Sequence, residues 1–203
     1  LSSQKLPSTT AEEKGWVDRD RLLGIEGRDR KEQVSMAVHY NLGEYESPSG
    51  GCLLTEEEFT QKLKEMLDHW PECAPEDVEL LKQGRVFWTR IADTQGTSHP
   101  VLVMVGRNDQ NNVNLYYSKR KGDVAVYLQD TTGPLALIRT KEYEWKEKED
   151  EVIEVEVPSP EETSILKEQG YEKEEEMWRD IARLNAWYKP SLRGQETKVY
   201  LEK

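Results

Sequence analysis

The stretch 85-RVFWTRIADTQGTSHPVLVMVGR-107 decides the fold, because two runs with strand character flank a short group of turn residues. Arg85–Ala92 has the period of two that is typical of strands, and Pro100–Arg107 is the second run. The gap between them holds Asp93-Thr94-Gln95-Gly96 and is too short for a crossover helix, so the two strands must run antiparallel. Val101–Val105 is apolar throughout, which predicts an interior strand buried on both faces.

More strands are predicted on both sides of this hairpin. Downstream, the same combination of strand period and short turns predicts strands at Val113–Ser118, Asp123–Gln129 and Leu135–Trp145. Glu149–Val157 alternates acids with valine and isoleucine, which predicts an edge strand whose charges oppose pairing with another chain. Val34–Tyr40 also alternates and predicts a strand, and Val199–Leu201 predicts a short last one.

Helices are predicted before and after this run of strands. Thr55–Trp70 has a capping box at Thr55 and Glu58, and one apolar stripe is expected from Phe59, Leu63, Met66, Leu67 and Trp70. A second helix runs from Pro75 to Gly84, so that a helix pair occupies about 55–84. Capping signals also predict a short helix over Ser159–Gly170, and an amphipathic one covers about 172–188. The sequence therefore predicts an α+β fold, with an antiparallel sheet of five to seven strands on which the helices pack.

The composition limits the size of the core and the choice of partners. The 203 residues are 35% hydrophobic and 33% charged, with a formal net charge of −12. Nucleic acids and anionic membranes both attract clustered Lys and Arg, so this balance argues against either as a partner. We expect residues 1–15 to form a flexible polar tail and residues 16–203 to form a single domain.

The negative charge is concentrated in one segment. Residues 146–176 contain 13 acidic residues and four lysines, a net charge of −9, whereas residues 84–140 carry a net charge of +3. Such a segment is either a solvated face or an acidic surface for a basic partner. In the second case the acids of the edge strand and of the last helix would form one field, which steers a partner of opposite charge.

The first function that we consider is therefore that of a non-enzymatic interaction or accessory protein. Six tryptophans are many for a chain with only two phenylalanines, and aromatic side chains often anchor protein interfaces. The expected binding surface, acidic and bearing Trp and Tyr, is formed by Glu154, Glu156, Glu172, Glu175, Glu176, Trp145 and Trp178.

The second function is that of a papain-like cysteine hydrolase. Cys52 follows two glycines and precedes the capped helix, and a helix N-terminus favours the thiolate form of a nearby cysteine. His99 enters the predicted interior strand and would be the base, and Asn112 or Asn114 would orient its imidazole. Against this reading, Thr55 is the better cap and leaves Cys52 three residues outside the helix.

The remaining motifs predict neither a cofactor nor a metal. The three histidines have no ligand spacing, and the sequence contains no phosphate-binding glycine loop and no serine-nucleophile elbow. No apolar run approaches the length of a membrane span. The two cysteines, Cys52 and Cys73, are expected to be free thiols, which fits a cytoplasmic protein.

Overall fold

The computed structural model describes residues 7–21, 31–43, 53–146, 149–161, 165–167 and 170–203. The chain divides into two units, Leu1–Gly51 and Cys52–Lys203. The first unit contains a one-turn helix α1 (Thr10–Glu13), a 3₁₀ turn (Arg19–Arg21) and a helix α2 (Lys31–His39). The strand predicted at Val34–Tyr40 is therefore wrong. Most of α2 consists of good helix formers, and this propensity overrides the alternation.

The second unit contains a six-stranded, fully antiparallel sheet, so the predicted α+β fold is confirmed. The strands are β1 (Arg85–Ala92), β2 (Ser98–Val105), β3 (Val124–Leu128), β4 (Leu135–Arg139), β5 (Glu151–Glu156) and β6 (Glu196–Glu202). Their order in the sheet is β1-β2-β4-β3-β6-β5. As predicted, Val101–Val105 belongs to an interior strand and is fully buried, and the acidic β5 lies at an edge.

The described residues of this unit form the helices α3 (Glu57–His69), α4 (Pro75–Leu80), α5 (Asp109–Tyr117) and α6 (Glu174–Trp187). Short 3₁₀ turns occur at Leu53–Thr55 and Pro190–Leu192. The capping box predicted at Thr55 is wrong, because α3 starts after Glu56 and the Glu58 carboxylate instead accepts hydrogen bonds from Lys62 and Arg107. None of the described residues of the helix predicted at Ser159–Gly170 is helical.

Two other predicted elements differ from the structure. Asp109–Tyr117 is a helix where a strand was predicted at Val113–Ser118, because Asn108 caps it by accepting a hydrogen bond from the amide of Asn111 at 2.9 Å. The strand predicted over Leu135–Trp145 ends at Arg139.

The core has two layers, one on each face of the sheet. On the first face α6 packs against interior strand residues, which include Val103, Val126, Ile138 and Leu201. On the second face Met66 of α3, Leu80 of α4 and Leu115 of α5 pack against Leu102, Met104 and Leu137. These contacts of the second face involve β1, β2 and β4, with Tyr127 of β3 at their margin.

Candidate functional site

Within the second unit, the part of the sheet's second face formed by β6 and β5 is not covered by a described helix. The strand register places Tyr127 opposite Tyr200, and Tyr200 opposite Val152, so these side chains lie side by side on this face. The rings of Tyr127 and Tyr200 are 5.2 Å apart. Val152 is 44% exposed, which is high for an apolar residue in a strand.

Helix α5 adds two more tyrosines beside this group. Tyr116 and Tyr117 are 44% and 83% exposed, and their rings make an edge contact at 6.2 Å. The hydroxyls of Tyr116 and Tyr127 both donate to the carboxylate of Glu202, each at 3.4 Å. We call the group formed by Tyr116, Tyr117, Tyr127, Tyr200 and Val152 the tyrosine face. Exposed tyrosines with one apolar side and one polar end are frequent anchors in protein interfaces.

Carboxylates border the tyrosine face. The Tyr200 hydroxyl donates to Asp150 at 2.7 Å, and the backbone amide of Lys203 donates to the same carboxyl group at 2.9 Å. The hydrogen bond from Tyr200 is the main reason why the pKa of Asp150 lies below its usual value. The same bond raises the pKa of Tyr200 to about 12. Asp150 is therefore an anion at neutral pH, and Tyr200 remains a neutral donor.

Two further carboxylates face each other without a cation between them. Glu156 and Glu196 are directly opposite in the β5–β6 pair, and both side chains are exposed. Neither makes an ion pair with a residue that the structure describes, whereas the neighbouring Glu154 lies 3.4 Å from Lys198. Like charges directly opposite each other destabilise a strand pair. This end of the face therefore carries uncompensated negative charge.

The expected acidic residues lie on two different layers. Glu154 and Glu156 project from β5 on the tyrosine face, because Val155 between them points into the layer that contains α6. Glu172, Glu175 and Glu176 are exposed at the start of α6, which packs on the opposite face of the sheet. Glu176 also pairs with Lys167 at 2.8 Å. The structure thus does not bring the two groups of acids together on one surface.

The two tryptophans expected at the binding surface lie inside the core. Trp145 is 6% and Trp178 is 2% exposed, and their rings are 4.7 Å apart in the layer that contains α6. The indole nitrogen of Trp145 donates to the carbonyl of Gly122 at 2.8 Å. Tyrosines, not these tryptophans, form the exposed aromatic surface. The signal for two of them is alternation: Tyr127 lies between Val126 and Leu128, and Tyr200 between Val199 and Leu201, so both must face away from α6.

The residues of the alternative hydrolase site do not form a triad in the described part of the chain. Cys52 lies outside the described residues. His99 Nε2 is 3.1 Å from the carboxylate of Asp93 in the preceding turn. Asn112 joins α5 to the β4 region by accepting from the amide of Leu135 at 3.0 Å. The Asn112 side chain occupies the space that a Cβ would need at Gly106, and Gly106 is about 23 Å from His99 along the chain, since a strand advances about 3.3 Å per residue.

Comparisons with known proteins provide no further guide to this site. No protein-family model matches the sequence, and no curated protein or solved structure matches it. Among the described residues, no group of three His, Cys, Asp or Glu side chains could hold a metal ion. No helix in the described part of the chain combines the length and apolar character needed to cross a bilayer.

Proposed function

We propose that this protein is a non-enzymatic interaction protein that binds a basic, extended segment of a protein partner on the tyrosine face. The observation that carries this proposal is the uncovered tyrosine face beside the unpaired carboxylates of Glu156 and Glu196. Lys or Arg side chains of a partner would relieve the repulsion between these two carboxylates. Its apolar side chains would cover Val152 and the tyrosine rings.

The backbone of β5 supports binding of an extended segment. Val157, next to β5, exchanges hydrogen bonds with Gln195 and Gly194 on the side of β6, both at 2.9 Å. Because these directions alternate along a strand, the amides and carbonyls of Val152 and Glu154 point away from the sheet. Such an edge can accept a further strand from a partner, whose alternate side chains would then reach the tyrosine face.

The other edge of the sheet is less open. Ile91 of β1 forms a backbone bridge with Tyr171. The amide of Ala92 donates to the Tyr171 carbonyl, and the Tyr171 amide donates to the backbone carbonyl of Arg90. Part of that edge is thus paired within the chain. Edge β5, with acids rather than lysines beside it, favours a partner strand that carries positive charge.

A pair of peptides tests this proposal. One is a ten-residue peptide that alternates Lys and Val, and the other is its matched Glu and Val version. In a heteronuclear NMR titration of the labelled chain, we expect the Lys peptide to shift amide signals of β5 and β6, and the Glu peptide to leave them unchanged.

Charge reversal provides the matched control. The double variant Glu156→Lys, Glu196→Lys should lose binding of the Lys peptide. Glu57→Lys, Glu72→Lys, which changes the net charge equally on exposed side chains outside the face, should retain it. Equal binding of the Lys peptide by both double variants, or shifts confined to other elements, would contradict the proposal.

A further inference from the structure

A cavity of about 520 Å³ lies beside the loop between α5 and β3. One wall is formed by the run Lys119-Arg120-Lys121, and the other by the segment Thr140–Trp145 that follows β4. The cavity is lined by five cationic side chains in a chain whose net charge is −12, namely Lys119, Arg120, Lys121, Lys141 and Lys203. Positive charge is thus gathered at one concave site of an acidic protein.

A buried cluster of ion pairs holds two of these cations, Arg120 and Lys141, in place. Arg139 is 4% exposed and binds Asp123 through two nitrogens, at 3.0 Å from Nε and 2.6 Å from Nη2. Asp77 is shared by three cations: its carboxylate lies 2.9 Å from Arg139, 3.3 Å from Arg120 and 3.2 Å from Lys141. Three cations thus meet two buried carboxylates, and the exposed Glu76 is a third carboxylate close to Arg120.

The remaining cations differ in how firmly they are held. Lys119 pairs with Glu202 at 2.8 Å, and Lys203 pairs with Glu151 at 3.1 Å. Lys121 is exposed and makes no ion pair with a described residue. Two exposed carboxylates oppose these cations, since Glu76 lies 3.6 Å from Arg120 and Glu144 lines the cavity. Lys121 is therefore the cation most available to a ligand, whereas Arg120 and Lys141 are held at the site by Asp77.

The cavity also has an aromatic part. The rings of Tyr143 and Trp145 line it and lie 5.2 Å apart. Their polar atoms are already used, since the Tyr143 hydroxyl donates to Glu174 at 2.6 Å and the Trp145 nitrogen donates to Gly122. Tyr143 and Trp145 are only 9% and 6% exposed, so they offer a ligand a small apolar surface, and the cations offer charge.

We propose that this cavity binds a small organic phosphate, with the phosphate group held by Arg120, Lys121 and Lys141. A phosphate carries up to two charges and several acceptor oxygens, so it can accept from donors on two separate segments at once. The volume lies within the range of about 300–1,000 Å³ that is usual for small-molecule sites. The apolar part of the ligand would lie against Tyr143 and Trp145. This proposal does not depend on the tyrosine face.

Isothermal titration calorimetry with three probes tests the site. We expect adenosine monophosphate and inorganic pyrophosphate to bind, and uncharged adenosine not to bind. The binding should weaken when NaCl is raised from 0.02 M to 0.5 M, because salt screens the attraction. Absence of binding by both phosphates, or equal binding of adenosine and its monophosphate, would overturn the proposal.

A single variant with its control localises the site. Lys121→Glu should weaken pyrophosphate binding at least about tenfold, because a carboxylate replaces an ammonium group that donates hydrogen bonds to the phosphate. Lys64→Glu, at an exposed lysine of α3 outside the cavity lining, should leave the affinity unchanged. Both side chains are exposed, so both variants should fold. An equal loss of pyrophosphate affinity in the two variants would show that binding depends only on the net charge of the protein, and the proposed site would be wrong.

Discussion

At the scale of single residues, the cluster around Arg139 links distant parts of the second unit. Asp77 belongs to α4, Arg139 ends β4, and Asp123 directly precedes β3. Arg139 also donates to the backbone carbonyl of Ser118 at 2.9 Å, and the Asp77 carboxylate accepts from the amide of Ala74 at 3.0 Å. Because each buried charge has partners, the removal of one member leaves the others without compensation.

The first prediction concerns Asp77. Asp77→Asn should lower the free energy of unfolding by about 3–5 kcal/mol, because the cations around it would lose a buried counter-charge. Urea unfolding at pH 7 measures this loss. Glu79→Gln on the same helix changes only an exposed carboxylate that pairs with Lys82, and should cost less than about 0.5 kcal/mol. A similar loss of unfolding free energy in the two variants would contradict the role of the cluster in stabilising the fold.

The second prediction concerns how the contribution of Asp77 to the free energy of unfolding depends on pH. Burial acts to raise the pKa of Asp77, but the Ala74 amide and the cations Lys141 and Arg139 outweigh it, so that the pKa lies below 3.8. A carboxyl group whose pKa is lowered by folding stabilises the protein fully above its unfolded pKa. The difference in unfolding free energy between wild type and Asp77→Asn should therefore narrow as the pH falls below 3.8. A difference that widens over this range would contradict the assignment.

At the scale of elements, α3 shows how closely periodicity defines a buried face. Met66 and Trp70 are buried, and Phe59 and Leu63 are partly buried, as the predicted stripe requires. Leu67 is predicted to belong to the same stripe but is 43% exposed. The buried stripe is one position narrower than predicted, because the residue next to Met66 lies about 100° further around the helix.

The third prediction uses these two adjacent residues as a matched pair. Met66→Ala should cost about 2–5 kcal/mol, because it leaves a cavity between α3 and the sheet. Leu67→Ala should cost less than about 1 kcal/mol, since much of that side chain already contacts water. Chemical denaturation of both variants checks the difference. A larger cost for Leu67→Ala would mean that the helix presents another face to the sheet.

The elements that sequence reasoning identified correctly are those in which local and tertiary preferences agree. Val101–Val105 of β2 is apolar throughout and lies inside the sheet, and α6 has an apolar stripe that packs on the sheet. Helix α5 was missed although Asn108-Asp109 is a helix-start signal, because tyrosine and valine also favour strands. Alternation in α2 was misleading because its helix places Val34, Met36 and Val38 at exposed positions, where burial does not select the pattern.

The candidate site could be predicted only in part. The acids of β5 were found from alternation, and their position at the sheet edge is confirmed. Which helix covers which half of a sheet depends on tertiary packing, so the tyrosine face could not be derived from local patterns. The cationic cavity has the same origin, since it joins residues 119–121 to residues 140–145 through the pairing of β3 with β4.

At the scale of the whole molecule, the charge is unbalanced. The net charge is −12, and the Glu156–Glu196 pair adds local repulsion on an open face. Repulsion between exposed charges is screened by salt over a Debye length of about 8–10 Å. The isolated protein should thus be less stable at low ionic strength than at high ionic strength, where salt screens this repulsion.

The fourth prediction follows from this imbalance. The thermal midpoint should be higher in 0.5 M than in 0.02 M NaCl, and the double variant Glu156→Gln, Glu196→Gln should lose part of this gain. The variant should also be more stable than wild type at low salt by about 1 kcal/mol, or about 2–4 °C. Differential scanning calorimetry measures both effects. Glu58→Gln is the control, because Glu58 has two cationic partners and its removal relieves no repulsion.

The position of β6 in the sheet has a consequence for biosynthesis. β6 is synthesised after the other five strands of this sheet, yet it lies between β3 and β5, where it pairs with both. Until the residues of β6 have emerged from the ribosome, β3 and β5 each lack one neighbouring strand, and the apolar groups around them stay exposed to water. Nascent chains in this state are prone to associate with one another. A chaperone that shields β3 during translation would therefore matter more for this protein than for one whose strands pair in the order of their synthesis.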